Sequence, residues 1–334
     1  MPSNIYWTEF ADATIRLLVR PEPGDPVLIL ADTGNDLELA QAFLGAGIRA
    51  GADTGLYIKP RVPIGHGYKV SPILAAAIGA SKMVLSICAD ALDSAPETLA
   101  ARENGTRMLI TDIKGIEDYV VRALLDVDQE AMARNAARVA DLWDKTKVCR
   151  ITSPQGTDVS FELKPRKSVI GDGAITEDGE VDFFPGAQVS IAPVEETING
   201  TIVIDASDSV QGMVRSPYSF IMKKGVITAV EGDREAGVMR NYLETRDDET
   251  IYKLCHVSIG LNPQAGISGN MTEDERMLAA IDFGFGYQNP SFGGMVGLSR
   301  WHMDIMLATP RVYLDGKEMS GGGKLHPAFG FDDL

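Results

Sequence analysis

Short apolar runs alternate with amphipathic stretches over the first ~145 residues. Residues 27–31, 55–58, 83–87 and 107–111 have the length and apolar content of buried strands, and residues 37–50, 73–80 and 96–103 between them carry helical periodicity. Strands alternating with helices in this way predict a parallel sheet covered on both faces. A longer amphipathic stretch, 129–145, sets Met132, Ala136, Val139, Ala140 and Trp143 on one stripe, the spacing of a helix packed against a core.

From about Val148 the texture changes to short strands at 149–152, 159–163, 188–192, 201–205, 219–223 and 226–230. Turn formers punctuate them at Gly156-Thr157-Asp158, Asn199-Gly200 and Lys224-Gly225, which suits antiparallel or mixed pairing. Helices are expected at 233–243 and around 272–280. The fold class predicted is α/β: a doubly wound, Rossmann-like domain over 1–146, then a mixed α+β, β-rich domain over 147–334. The glycine run Ser320-Gly321-Gly322-Gly323-Lys324 lacks the spacing of a phosphate loop and reads as a flexible tail. The first strand-to-helix turn, Ala31-Asp32-Thr33-Gly34-Asn35-Asp36, has one glycine where a dinucleotide fingerprint needs three, so no nicotinamide cofactor is expected.

Composition narrows the classes further. A chain of 334 residues, 45% hydrophobic, can bury one large core or two ordinary ones. Its net charge of −16 argues against a nucleic-acid partner, because phosphate neutralisation needs clustered Lys and Arg. No apolar run reaches the roughly 18–20 residues of a membrane span, and the N-terminus lacks the basic start and apolar core of a secretory signal. A cytoplasmic protein is therefore expected. Cys88, Cys149 and Cys255 are widely spaced in apolar runs, which predicts buried, reduced thiols.

The chemistry concentrates in a few residues. Only four histidines are present. One, His302, lies in Trp301-His302-Met303-Asp304, where strand geometry would turn His302, Asp304 and Met306 to one face. His256 lies in another apolar, strand-like run. Two imidazoles and one carboxylate form the donor set that binds a mononuclear divalent iron and leaves coordination positions open. The residues alone leave a metal centre and two ordinary core histidines both open.

Several segments carry a resemblance: Asn104-Gly105-Thr106-Arg107-Met108-Leu109, Thr152-Ser153-Pro154-Gln155-Gly156-Thr157-Asp158, Asn199-Gly200-Thr201, Cys255-His256-Val257-Ser258-Ile259-Gly260-Leu261-Asn262-Pro263 and Trp301-His302-Met303-Asp304. In this order they resemble the family of 2,5-dihydroxypyridine 5,6-dioxygenase, itself distantly similar to aminopeptidase T-type metallopeptidases. The resemblance implies one Fe2+ per chain, held by His256, His302 and Asp304, and an extradiol-type dioxygenase that cleaves a hydroxylated pyridine or related ring. Gln188, His256 and Asp282 fall where the peptidases hold two metals. A neutral amide at Gln188 favours a single ion.

One departure bears on substrate. The resemblance implies an acid–base histidine in the segment Val181-Asp182-Phe183-Phe184-Pro185, where this chain has phenylalanines. His66, in Ile64-Gly65-His66-Gly67-Tyr68, is the spare imidazole, readable either as the proton-handling group or as an exposed loop residue. Phe183, Phe184, Tyr218 and Tyr287 are candidates to wall an aromatic pocket, with Gln188 at its edge and Arg300 available to a substrate carboxylate. Glu195 and Glu196 are either partners of a ligating imidazole or solvated loop acids. The expected partners are a small aromatic substrate, O2 and further copies of the chain as a homo-oligomer. An aminopeptidase T-like hydrolase and a non-catalytic relative are the alternatives.

Overall fold

The apolar runs of the first half pair in parallel, in the order Asp53–Lys59, Pro26–Asp32, Met83–Ser86, Arg107–Ile110, with Val181–Phe183 as a fifth strand. The computed structural model describes residues 4–61, 69–88, 92–111 and 113–334. By its contacts the chain divides into Met1–Asp126 with Asp172–Gly186, and Val127–Gly171 with Ala187–Leu334. The first unit thus takes back a segment that follows strands of the second.

Its helices start where local chemistry satisfies the free N–H groups of a first turn. Asp36 accepts from the Glu38 amide before Leu37–Arg49, and Ser71 accepts from the Leu74 amide before Pro72–Gly79. A further helix, Asn4–Thr14, runs into a π-helical turn at Ile15–Val19; the hydrophobic pattern did not single it out. Phe10 of that helix is fully buried and packs against Phe43 and Phe184, so Phe184 is committed to this unit's core. Phe183 ends its strand with its side chain exposed.

The second unit is built on two sheets, one of eight strands and one of seven. In the seven-stranded sheet, Leu254–Gly260, Ile281–Gly286 and His302–Leu307 lie side by side and antiparallel. One face of these strands, including Val257, Ile259, Phe283, Phe285, Met303 and Ile305, joins the unit's main core. The helix Gln129–Lys145, capped by Asp128, contributes Met132, Ala136, Val139 and Trp143 to that same core. Period-2 burial in the strands and period-3.6 burial in this helix therefore converge on one apolar interior.

Two expectations are corrected. The helix expected around 272–280 stops after one turn, Met271–Asp274, and the chain then forms bridges from Met277 to Asn262 and from Leu278 to Gly260. Ala279, at φ 60°, completes a bend that no helix tolerates. The glycine run is a hairpin rather than a loose tail: Lys317–Gly321 pairs with Lys324–Leu325, and Gly322 and Gly323 supply the two positive-φ positions of its turn.

The three cysteines are buried and free, and burial pushes the Cys149 thiol far up from its ordinary range. Among the described residues no helix is long and apolar enough to cross a membrane. Trp143 is 1% exposed; Trp143→Ala is expected to lower stability by about 3–5 kcal/mol through the lost contacts and the cavity left behind. Denaturant unfolding of the two proteins measures it.

Candidate metal centre

Strand register assembles the site. His256 pairs with Gly284, and Gly284 pairs in turn with Asp304, so the imidazole and the carboxylate flank a residue without a side chain. His302 lies opposite Gly286, one alternation further along the same face. The glycine is a steric necessity: a Cβ on Gly284 would lie 2.1 Å from Cε1 of His256. A register shift between Leu254 and His256 inserts Cys255 as an extra residue. It keeps Leu254 in the core while His256 faces the opposite way.

The side chains converge. His302 Nε2 is 2.9 Å from Asp304 Oδ1, and His256 Nε2 is 2.9 Å from Asp282 Oδ2 and 3.7 Å from Asp304 Oδ1. Donor atoms of His256, Asp282 and Asp304 all lie within 4.8 Å of one another. The two rings stack at 5.3 Å with planes 20° apart, and the edge of Phe292 closes on His256.

One carbonyl lies behind both rings, bonded to His302 directly and reached from His256 through the Cys255 sulfur. His302 Nδ1–H donates to the Tyr287 carbonyl at 2.9 Å, and the Cys255 thiol donates to that same oxygen at 3.4 Å while Cys255 Sγ sits 3.6 Å from His256 Nδ1. A proton fixed on Nδ1 leaves Nε2 as the lone-pair donor, and Nε2 is the atom each ring turns toward the carboxylates. The Cys255 carbonyl in turn accepts from Gln288 Nε2 at 2.6 Å, and Gln288 Oε1 accepts from the Val296 amide. The loop after the Ile281–Gly286 strand is thereby tied to the back of the site.

Charge in this cluster is strongly shared. Burial opposes an imidazolium at His256, but Cys255 and Asp282 outweigh it and hold the ring well above the usual imidazole range. Burial is likewise overcome at His302 by Asp304 and Cys255. Burial and the Asp304 charge together push Asp282 up, whereas His302, His256 and Arg276 overcome burial to hold Asp304 down. The cluster is one that stabilises positive charge. Asp282 Oδ1 is buried and has no hydrogen-bond partner among the described residues, so a cation is the group whose chemistry fits.

The expected donors His256, His302 and Asp304 therefore come together, and Asp282, noted in the sequence only for its peptidase correspondence, joins them. Tyr287 contributes its backbone carbonyl. Gln188, across the sheet from Gly260, donates to Glu275 at 3.3 Å. Arg300 is exposed, and its backbone amide faces Asp248. Tyr218 is corrected from pocket wall to core: it is buried and its hydroxyl donates to Asp208 at 2.9 Å. Glu195 pairs with Arg166 at 2.6 Å and accepts from the Met295 amide, so it braces a loop and no imidazole. His66 lies outside the described residues. Sequence reading missed Glu275 and Arg276, both largely buried and electrostatically coupled to the cluster. Burial holds Glu275 up to about 8, opposed by Arg276 and reinforced by Asp304 and Asp282. Their one signal was that they close a run of four charged residues, 273–276, just before an apolar stretch.

A doubly wound unit followed by a β-rich unit with imidazoles and carboxylates gathered on one sheet face defines a metal-binding protein of the enzyme type. The chain belongs to the NicX, or 2,5-dihydroxypyridine 5,6-dioxygenase, family, whose model matches residues 10–327. It is 27% identical over 232 residues to the 2,5-dihydroxypyridine 5,6-dioxygenase of Pseudomonas putida, a match spanning 66% of this chain and 65% of that relative's length. Among solved structures it shares its fold with 2,5-dihydroxypyridine dioxygenase from Pseudomonas putida, at a TM-score of 0.81, 22% identity and 98% coverage of both chains. It shares it also with AmpT from Thermus thermophilus, at a TM-score of 0.67 and 18% identity, over 96% of this chain and 99% of that one.

Gly284→Ala is expected to displace the His256 ring and abolish stoichiometric metal binding. Gly55→Ala, where a Cβ meets nothing within 4 Å, should leave metal content unchanged. Elemental analysis of the two purified proteins checks this.

Proposed function

We propose that this chain is an Fe(II)-dependent dioxygenase of the extradiol type that opens a hydroxylated pyridine, or a related aromatic ring, with O2. The observation that carries the reading is the convergence of His256, His302, Asp304 and Asp282 on one face of a sheet, in a chain of the dihydroxypyridine dioxygenase family. His256, His302 and Asp304 would hold the iron, which supplies a redox-active centre where an electron-rich ring and O2 meet.

The chain's own residues do the rest. Tyr287, through its carbonyl, fixes the tautomer of His302 and anchors the Cys255 thiol behind His256, so both rings present Nε2 forward. Phe292 packs against His256 with ring centroids 5.3 Å apart and adds an apolar contact to that imidazole. Asp282, 1% exposed, accepts from His256 when no cation is present and offers Oδ1 to one when it is. Its partner Ser258, opposite in the register, bonds Ser190 at 2.8 Å and keeps the floor of the site rigid. His66 is the side chain assigned to the substrate's proton in this reading, and a cytoplasmic homo-oligomer is its setting.

Protein purified without oxygen and loaded with ferrous iron is expected to hold one iron per chain and to consume O2 with 2,5-dihydroxypyridine. Asp304→Asn and His302→Ala should lose the iron and the oxygen uptake together. Asp282→Asn should weaken iron binding by roughly 10–100-fold, because it removes one of the two carboxylate charges that face the cation. Two zinc or cobalt ions per chain with peptide hydrolysis would instead favour the hydrolase alternative. Full iron loading without uptake across hydroxypyridines and catechols would favour a non-catalytic relative.

A further inference from the structure

The strap after the Ile281–Gly286 strand is pinned at two buried ends and unburied between them. Gln288 and Ser299 are buried; the Gln288 amide donates to the Gly297 carbonyl at 3.2 Å, and Ser299 Oγ donates to Asp248 at 2.6 Å. None of residues 289–298 is buried. The tethers on this middle part grip backbone atoms. Arg166 donates to the Gly293 carbonyl, the Met295 amide donates to Glu195 Oε1 at 2.6 Å, and the Val296 amide donates to Gln288 Oε1 at 2.9 Å. Gly293 and Gly297, at φ 67° and 99°, flank it.

Two side chains are left over. Met295 and Leu298 are 80% and 75% exposed, the most exposed large apolar side chains among the described residues. One exposed apolar residue needs no explanation, but two on a short strap beside an open metal site mark a surface that something covers. The strap's position says what. Phe292, three residues before Met295, already has its ring 5.3 Å from the His256 ring, and three residues of chain span at most about 11 Å. The donors offer a bound ring only polar groups, whereas the faces of an aromatic ring are apolar. A thioether and a leucine suit such a face, and sulfur–aromatic contact is favourable in itself.

We propose, resting on the ring-cleaving reading above, that Met295 and Leu298 are the substrate's apolar cover: with a ring held at the metal, the strap segment between Gly293 and Gly297 and the adjoining Leu298 turn inward and lay both side chains over it. The tethers hold the strap by its backbone and leave those side chains free to do so.

Anaerobic iron-loaded protein, in which the ring binds without O2 to open it, tests this with 2,5-dihydroxypyridine. Amide hydrogen exchange in the peptide that carries 289–298 should slow when the ring is added. Met295→Ser with Leu298→Ser should keep the wild-type iron content and Tm, because neither side chain is buried in the free protein, and should lose roughly 10–100-fold of affinity for the ring. Met295→Leu with Leu298→Met, which keeps the surface apolar, should bind the ring nearly as the wild type does. Unchanged affinity in the serine variant, or unchanged exchange in wild-type protein that does bind the ring, overturns this inference alone. A serine variant that alters the mass of the assembly and leaves ring affinity intact assigns the two side chains to a contact between copies, and so also overturns it. Wild-type protein that holds iron and binds no ring overturns the substrate reading and this inference together.

Discussion

The site depends on a single steric concession in a β-sheet. Neighbouring antiparallel strands place Cβ atoms of directly opposed residues about 4.5–5.5 Å apart, close enough for side chains on adjacent strands to collide over the strand between them. Gly284 removes the middle side chain, and the space it vacates is filled by the His256 ring, within reach of Asp304 on the far strand. Asp282 and Gly286 follow at the same alternation, so one glycine-bearing strand organises donors from three. The other face of those strands is wholly apolar and packed, which makes a slip of register costly: it would send Phe283 and Phe285 to the site and the donors to the core.

Electrostatics completes what register begins. Two imidazoles and two carboxylates brought out of water would ordinarily repel or neutralise, yet here each ring has an acid in front and a path to the Tyr287 carbonyl behind. Such an arrangement stabilises cationic charge in the middle and leaves Asp282 Oδ1 unsatisfied, the state expected of a pocket shaped for a metal ion.

Much of this was legible from the residues. The parallel half followed from strand–helix alternation, and His302 with Asp304 followed from a spacing of two on an apolar strand. His256 followed because histidine is scarce and its run is apolar. Asp282 was harder, since Ile281–Gly286 contains two glycines and reads weakly as a strand, although those glycines are what the site requires. Tyr287 acts through its backbone, which no side-chain pattern reveals. Glu275 and Arg276 sat in a stretch with helical periodicity, and only the bridges from Met277 and Leu278 show why the helix ends and the charges turn inward. Phe184 was misleading for the opposite reason: an aromatic ring near a family motif looks like a pocket wall until its packing against Phe10 is seen.

In the reading proposed above, these donors hold one iron and not a pair of metals. X-ray absorption at the iron edge of anaerobically loaded protein addresses it directly. Scattering from two imidazoles and oxygen donors with no metal–metal vector is expected. A metal–metal vector at about 3.5–4 Å, the separation of two-metal hydrolytic sites, would contradict it.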